Sequence, residues 1–384
     1  MKDQLKTKEI VVLTGMRRVG KTTLLIKIFD EIESENKVFL DLDNILDQMI
    51  FEEIDYNNIW ANLRSYNISP EKKAYIFLDE IQVKPDIVKA VKYLYDHYDV
   101  KFFITGSSSF YLKNLFPESL AGRKVIFELF PLDFAEFLIF NGVTVSFHRD
   151  LSVKAKKKNK VEFEKLKKYY GEYLLFGGFP QVVLAENEIQ KRRYLGDIFT
   201  SYFEKDVKVM ADFRRMSAFR DLLFLLLQRI GSKLDITKLS SEVGVSRETV
   251  YSYISFLEAT YVLFLISPFT RNVDREISGT KKVYFCDNGL LNQFARVSSG
   301  SLLENAVFLN LRKFGTLNYY QRRSGMEIDF ILQDKQIALE VKTRGTVSDY
   351  NTLSRLSTSL GLKEHYLISQ TFGQEEYIIP ASDL

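Results

Sequence analysis

Apolar positions in the first 140 residues recur in two rhythms. Glu9–Thr14, Val38–Leu42, Tyr75–Leu78 and Lys101–Thr105 are short bounded runs, the pattern of buried parallel strands. Between them Leu24, Leu25, Ile28 and Ile32, then Ile87, Val88, Val91, Leu94 and Tyr95, return every three or four residues, as on one face of a helix. The alternation predicts an α/β domain with a doubly wound parallel sheet.

The texture changes after residue 148. Lys154, Lys156, Lys157, Lys158, Lys160, Lys165, Lys167 and Lys168 crowd one segment, which reads as a solvated linker or as a strip that contacts phosphates. Residues 163–230 read as helices broken by Gly177-Gly178-Phe179-Pro180. From Asp235 to Leu257 the pattern is helix-turn-helix: Leu239 and Val243 mark one helix, Gly244-Val245-Ser246 the turn, and Val250, Ile254 and Leu257 the second helix, with Ser246 as its cap. Strand-like Tyr261–Ile266 and Lys281–Phe285 suit a wing. A helical run around Leu302–Lys313 and strands at Leu317–Gln321, Glu327–Leu332 and Ile337–Lys342 predict a second, small α/β unit. The expected divisions are 1–148, a basic linker and helical region at 149–230, a winged helix-turn-helix at 231–286, and 287–384.

The 384 residues are enough for two or three cores at roughly 150 residues each. With 53 basic and 50 acidic side chains, the net charge of +3 assigns any polyanion contact to a local patch. One cysteine, Cys286, and three dispersed histidines give no zinc spacing and no nucleophile triad. No apolar stretch approaches the roughly 18 residues that span a bilayer, and no signal peptide is read, so no membrane partner and a cytoplasmic location are expected.

The informative chemistry begins at Gly15-Met16-Arg17-Arg18-Val19-Gly20-Lys21-Thr22, followed by Thr23, which fits the G-x-x-x-x-G-K-[ST] phosphate loop between a strand and a helix. Glycines let successive N–H groups converge on phosphate oxygens, and the helix beginning near Lys21 offers its positive end. Gly15, Arg17, Arg18, Val19, Gly20, Lys21, Thr22 and Thr23 are therefore the expected nucleotide contacts. Lys21 neutralises the β- and γ-phosphates. Thr22 and Asp79 would hold Mg2+. Asp79 ends the apolar run Tyr75–Leu78 in Walker B fashion, and Glu80 beside it is placed to polarise the attacking water, which argues for hydrolysis of ATP.

The run Thr105-Gly106-Ser107-Ser108-Ser109 after the next strand resembles the AAA-type branch of P-loop ATPases. That resemblance implies a polar sensor of the γ-phosphate, Ser107 first and Thr105 next, and an arginine, Arg123, offered to a neighbouring subunit of a homo-oligomer, with a surface ion pair as the alternative for Arg123. Gly177-Gly178-Phe179-Pro180, Tyr284-Phe285-Cys286-Asp287-Asn288-Gly289-Leu290-Leu291, Glu327-Ile328-Asp329-Phe330 and Leu339-Glu340-Val341-Lys342 extend the likeness. Together they resemble a widespread prokaryotic family that joins such an ATPase to a C-terminal domain of unassigned function.

Asp329 and Glu340/Lys342 on consecutive strands, with Glu304 on the preceding helix, resemble the D…E-x-K signature of the restriction-endonuclease-like fold. That resemblance implies a metal site at Glu304, Asp329, Glu340 and Lys342. Arg322 and Arg323 stand just upstream. The expectation is an ATPase coupled to a DNA- or RNA-binding module. A protein-interaction switch with a non-cleaving nuclease-like domain and an ATP-dependent nuclease are the alternatives.

Overall fold

The structure is a computed structural model, described at residues 4, 7–106, 122–208, 216–270, 279–322 and 325–384. It divides into two compact units, Met1–Phe130 with Ala259–Tyr261, and Pro131–Glu258 with Val262–Leu384.

In the first unit, strands β1 (Ile10–Thr14), β2 (Lys37–Asp41), β3 (Ala74–Asp79), β4 (Val100–Gly106) and β5 (Lys124–Glu128) form one sheet in the order β2-β3-β4-β1-β5. All its pairings are parallel. Alternation along each strand sends side chains to opposite faces. Val11, Leu13, Phe77 and Phe103 pack with Leu25 and Ile28 of the helix Lys21–Glu31. Val12, Ile76, Leu78, Phe102 and Ile104 pack with Ile87, Val91 and Leu94 of the helix Ile87–His97. The sheet is thus covered on both faces, and β4 lies between the strand that precedes the phosphate loop and the strand that ends in Asp79.

The compact first unit closes at Phe130, short of the expected residue 148. Asp133 caps the helix Phe134–Phe140 through a capping box, Phe134 N–H donates to Asn310 at 2.9 Å, and Lys313 pairs with Asp133 at 2.9 Å. These long-range ties bind the segment into the second unit, and no shift in composition marks them. The lysine-rich stretch is likewise no free linker. It forms helices Leu151–Lys156 and Lys160–Phe176. Lys154 is buried and donates to the Asp383 carbonyl, and Lys158 donates to the carbonyls of Glu375 and, at 2.8 Å, Ile378. Burial lowers Lys154 to about 8. Lys156, Lys157, Lys160, Lys165, Lys167 and Lys168 stay exposed.

Two motifs more than a hundred positions apart prove to be halves of one joint. The buried Asp287 carboxylate caps the helix Asn288–Phe294 and accepts from Leu290 N–H at 3.0 Å and Gly178 N–H at 2.7 Å. A Cβ at Gly177 would stand 2.1 Å from that carboxylate, so only glycine admits it. Burial raises Asp287 to about 6 against the pull of those N–H groups.

Helices Ile236–Val243 and Arg247–Ala259 meet at Gly244, whose φ of 68° ends the first. Ser246 Oγ accepts from Thr249 N–H at 3.2 Å, which caps the second. Strands β6 (Leu263–Ile266) and β7 (Lys282–Phe285) then pair antiparallel. After the helix Ser299–Leu311 come β8 (Leu317–Gln321), β9 (Glu327–Leu332), β10 (Ile337–Lys342), the helix Val347–Leu360, β11 (Glu364–Ser369) and β12 (Ile378–Pro380). The sheet order is β12-β11-β10-β9-β8. The β8/β9 and β9/β10 pairs are antiparallel, and β10/β11 and β11/β12 are parallel. Ile328, Ile331, Ala338, Leu353, Leu356 and Leu367 fill one core beside it. Among the described residues no helix is long and apolar enough to cross a membrane.

Candidate nucleotide site and a second carboxylate cluster

The phosphate loop leaves β1 at the carboxyl edge of the parallel sheet and enters the helix at Lys21. Gly15 has φ 150°, and a Cβ there would lie 2.0 Å from the Leu129 carbonyl, so the first glycine is demanded by close backbone approach. Gly20 precedes the helix at φ 98° with no side-chain cap, and the helix N-terminus faces the loop, where its dipole favours an anion. Lys21 is buried and its Nζ donates to the carbonyls of Gly15 and Met16, each at 2.9 Å. Those bonds fold the ammonium into the loop it is expected to share with phosphate.

Asp79 sits where register demands. Leu78 pairs with Ile104 and Leu13 with Thr105, so the ends of β3, β4 and β1 stand side by side. Thr22 Oγ1 donates to Asp79 Oδ2 at 2.8 Å, and the Thr105 hydroxyl donates to Oδ1. Thr105 Oγ1 in turn accepts the Glu80 N–H at 3.0 Å. Burial raises the Asp79 pKa, opposed by the hydrogen bonds from Thr105 and Thr22. Hydroxyl and carboxylate oxygens side by side are the hard donors that suit Mg2+, so Thr22 and Asp79 fit a hydrated ion whose other ligands are water and phosphate.

Glu80 has φ 57°, a left-handed conformation that costs a non-glycine residue roughly 1–2 kcal/mol. Its carboxylate is held by the Gln82 side-chain amide and lies 3.9 Å from Arg17 Nη2 of the phosphate loop. Sequence reasoning missed this pairing. A glutamine two residues past the acid was its only local signal.

Arg123 does not join these groups. Its carbonyl accepts from Ile10 N–H and Lys124 pairs with Ile10, which puts it at the amino edge of the sheet, opposite the phosphate loop of its own unit. Its guanidinium pairs with Asp96 at 2.6 Å. That ion pair is a contact the structure gives it, on the side of the sheet away from the phosphate loop. Ser107 lies outside the described residues; Thr105 joins the Asp79 carboxylate to the Glu80 backbone N–H.

The C-terminal candidates do come together. The β9/β10 ladder runs to Leu339↔Phe330, and the next residues, Asp329 and Glu340, turn their carboxylates onto each other's strand. Asp329 Oδ2 accepts Val341 N–H at 2.8 Å and Glu340 Oε2 accepts Asp329 N–H at 3.3 Å. Lys342 donates to Glu340 Oε1 at 2.8 Å. Glu304 accepts from Tyr284 OH at 2.7 Å. Burial first, then the neighbouring Asp329 charge, raises Glu304 to about 7 and Glu340 to about 8. Lys282, from β7, was not foreseen. It is 2% exposed, with Nζ 2.5 Å from Glu327, 3.8 Å from Glu304 and 3.9 Å from Asp329. These three carboxylates overcome its burial and hold its pKa above the usual lysine value. With a buried ammonium among the carboxylates and their oxygens already holding protein donors, this cluster does not fit the divalent ion that the D…E-x-K likeness implied. Two consecutive lysines, Lys281 and Lys282, at the head of an otherwise apolar strand were the signal for it.

Residues 7–138 match an AAA domain, and the five-stranded parallel sheet with its loop is a P-loop nucleotide-binding fold. Residues 167–301 and 299–382 match two domains of unknown function, DUF8612 and DUF4143. The chain belongs to the family of the uncharacterized protein MJ1544 of Methanocaldococcus jannaschii, to which it is 30% identical over 336 residues, covering 84% of this chain and 72% of that one. An uncharacterized protein of Haemophilus influenzae is 26% identical over 93% of this chain and 87% of its own. The structure of the Aeropyrum pernix ORC1 protein in complex with DNA covers 77% of this chain and 87% of its own at 12% identity, with a TM-score of 0.29.

Proposed function

We propose that this chain hydrolyses ATP with Mg2+ and uses the cycle to control a nucleic-acid-handling module in its second unit. The observation that carries the reading is the run of contacts Thr22–Asp79–Thr105–Glu80 along two adjacent strand ends and the phosphate-loop helix. Lys21 and the loop amides bind the phosphates. Thr22 and Asp79 would hold Mg2+, which would supply charge neutralisation at the β- and γ-phosphates. Thr105 fixes Asp79 and the Glu80 backbone, and Glu80 accepts the proton of the attacking water. Gln82 and Arg17 set the orientation of the Glu80 carboxylate.

The winged-helix reading of residues 231–286 is supported by the capped helix pair and the β6/β7 hairpin. The restriction-endonuclease-like reading of 287–384 is supported by the helix-strand-strand-strand-helix-strand order. Polynucleotide phosphates would meet the exposed Lys156, Lys157, Lys160, Lys165, Lys167 and Lys168. Mg2+-dependent phosphate release, raised by DNA or RNA and abolished in Lys21→Ala, is the expected result. Equal turnover in Lys21→Ala removes the mechanism.

One observation favours a second reading, a switch that binds protein. The exposed positions of the helix Arg247–Ala259 include Arg247, Glu248, Tyr251, Ser252 and Ser255, with no basic excess to hold a recognition helix on DNA. Polynucleotide binding whose log affinity falls with log salt at a slope of about −3 or steeper supports the first reading. Absence of binding at low salt supports the second.

A further inference from the structure

The sheet β8–β10 and the helix before it present four carboxylates, Glu304 on the helix and Glu327, Asp329 and Glu340 on the strands, to two ammonium groups, those of Lys282 and Lys342. We propose that Lys282 is a built-in cation that takes the place of a divalent metal in this cluster, making the C-terminal unit a metal-free module that does not cut phosphodiesters.

Lys282 pairs with Ile266 at the end of the β6/β7 hairpin. From there its side chain reaches Glu304, on the helix before the sheet, and Glu327 and Asp329, both on β9. Its Nζ also lies 5.4 Å from the centre of the Tyr319 ring on β8. Three carboxylates converge on this ammonium, Glu327 within hydrogen-bond distance and Glu304 and Asp329 at ion-pair distance.

Other protein donors hold carboxylate oxygens of the cluster as well. Glu327 Oε2 accepts from Gln321 at 2.9 Å, and Tyr284 donates to Glu304 Oε1, the oxygen that also faces Lys282. Asp329 and Glu340 hold the backbone N–H groups freed where β9 and β10 part, and Lys342 occupies the other Glu340 oxygen. A Mg2+ or Mn2+ ion needs about six oxygens at roughly 2.1 Å. To gain them it would have to displace Lys282 from a buried site, strip two backbone donors of their acceptors, and lie beside an ammonium in a medium of low dielectric. The same contacts pin the hairpin to the sheet, so the carboxylates act as a clamp. This inference takes its functional meaning from the nuclease-like reading of the sheet, while its test reads metal binding alone, apart from ATP turnover and polynucleotide affinity.

The test uses the full-length chain with Asp79→Asn to silence the phosphate-loop metal site, titrated with Mn2+ and followed by electron paramagnetic resonance. With Lys282 present, no Mn2+ binding that depends on Asp329 is expected. Lys282→Ala should gain one Mn2+ per chain, at least about tenfold tighter than the parent, and lose it again on adding Asp329→Asn. An Asp329-dependent Mn2+ in the chain that keeps Lys282 overturns the proposal, and so does a folded Lys282→Ala chain that gains none. If Lys282→Ala does not fold, the chain that keeps Lys282 decides alone, by the presence or absence of that Asp329-dependent signal.

Discussion

Two clusters of strand-end carboxylates lie in this molecule, and their partners set them apart. At the carboxyl edge of the first sheet, Asp79 is held by the hydroxyls of Thr22 and Thr105, neutral groups that turn aside for a cation. In the second unit Asp329 and Glu340 are held by backbone N–H groups and Glu340 by Lys342, with Lys282 wedged between Glu304 and Glu327. Hydroxyls leave the negative charge for a metal to claim; ammonium groups have already claimed it. Acidic residues at strand ends therefore predict a metal site only when read together with the cations around them.

The largest expected effect probes the first cluster. Glu80→Gln should keep ATP binding and lose about 10²–10⁴ in kcat, measured as single-turnover phosphate release, because a general base of this kind contributes that much. Thr105→Val removes the hydroxyl that bridges Asp79 and the Glu80 backbone. With a hydrogen bond to a charged group contributing roughly 1.5–3 kcal/mol, kcat should fall roughly ten- to a hundredfold with a smaller change in KM.

The second cluster should show itself in the pH dependence of folding. Glu304 and Glu340 have folded pKa values raised to about 7 and about 8 from 4.5. Their contribution to stability is complete below the unfolded value and is lost as pH rises through those folded values. Urea midpoints should drop as pH rises from about 4.5 to about 8 and level off above that, and Glu340→Gln should flatten the slope. The smallest effect belongs to Arg123→Ala. Its half-exposed pair with Asp96 contributes no more than about 1 kcal/mol, and turnover of the isolated chain should not change. Lost turnover with unchanged nucleotide binding would instead mark an arginine acting between subunits.

Local spacing made the phosphate loop, the Asp79-Glu80 strand end and the Ser246 cap legible, because each is a contact between residues close in sequence or a fixed order of elements. What escaped depends on register across long separations. The position of Arg123 follows from Lys124 pairing with Ile10, which puts it at the wrong end of the sheet for its own nucleotide. Gly178 and Asp287 were singled out as separate motifs, but only packing joins them. Lys154 and Lys158 look solvated in a lysine-rich run, yet find carbonyls more than two hundred residues away. Lys282 is the sharpest case: Glu304, Asp329, Glu340 and Lys342 are all visible in the sequence, and a lysine from a neighbouring hairpin changes what they can hold.

A count of Mn2+ ions bound per wild-type chain in the presence of ATP tests the contrast most directly. The account predicts one ion, lost in Asp79→Asn and retained in Asp329→Asn. Two ions per chain, or a single ion that survives Asp79→Asn and departs with Asp329→Asn, would contradict it.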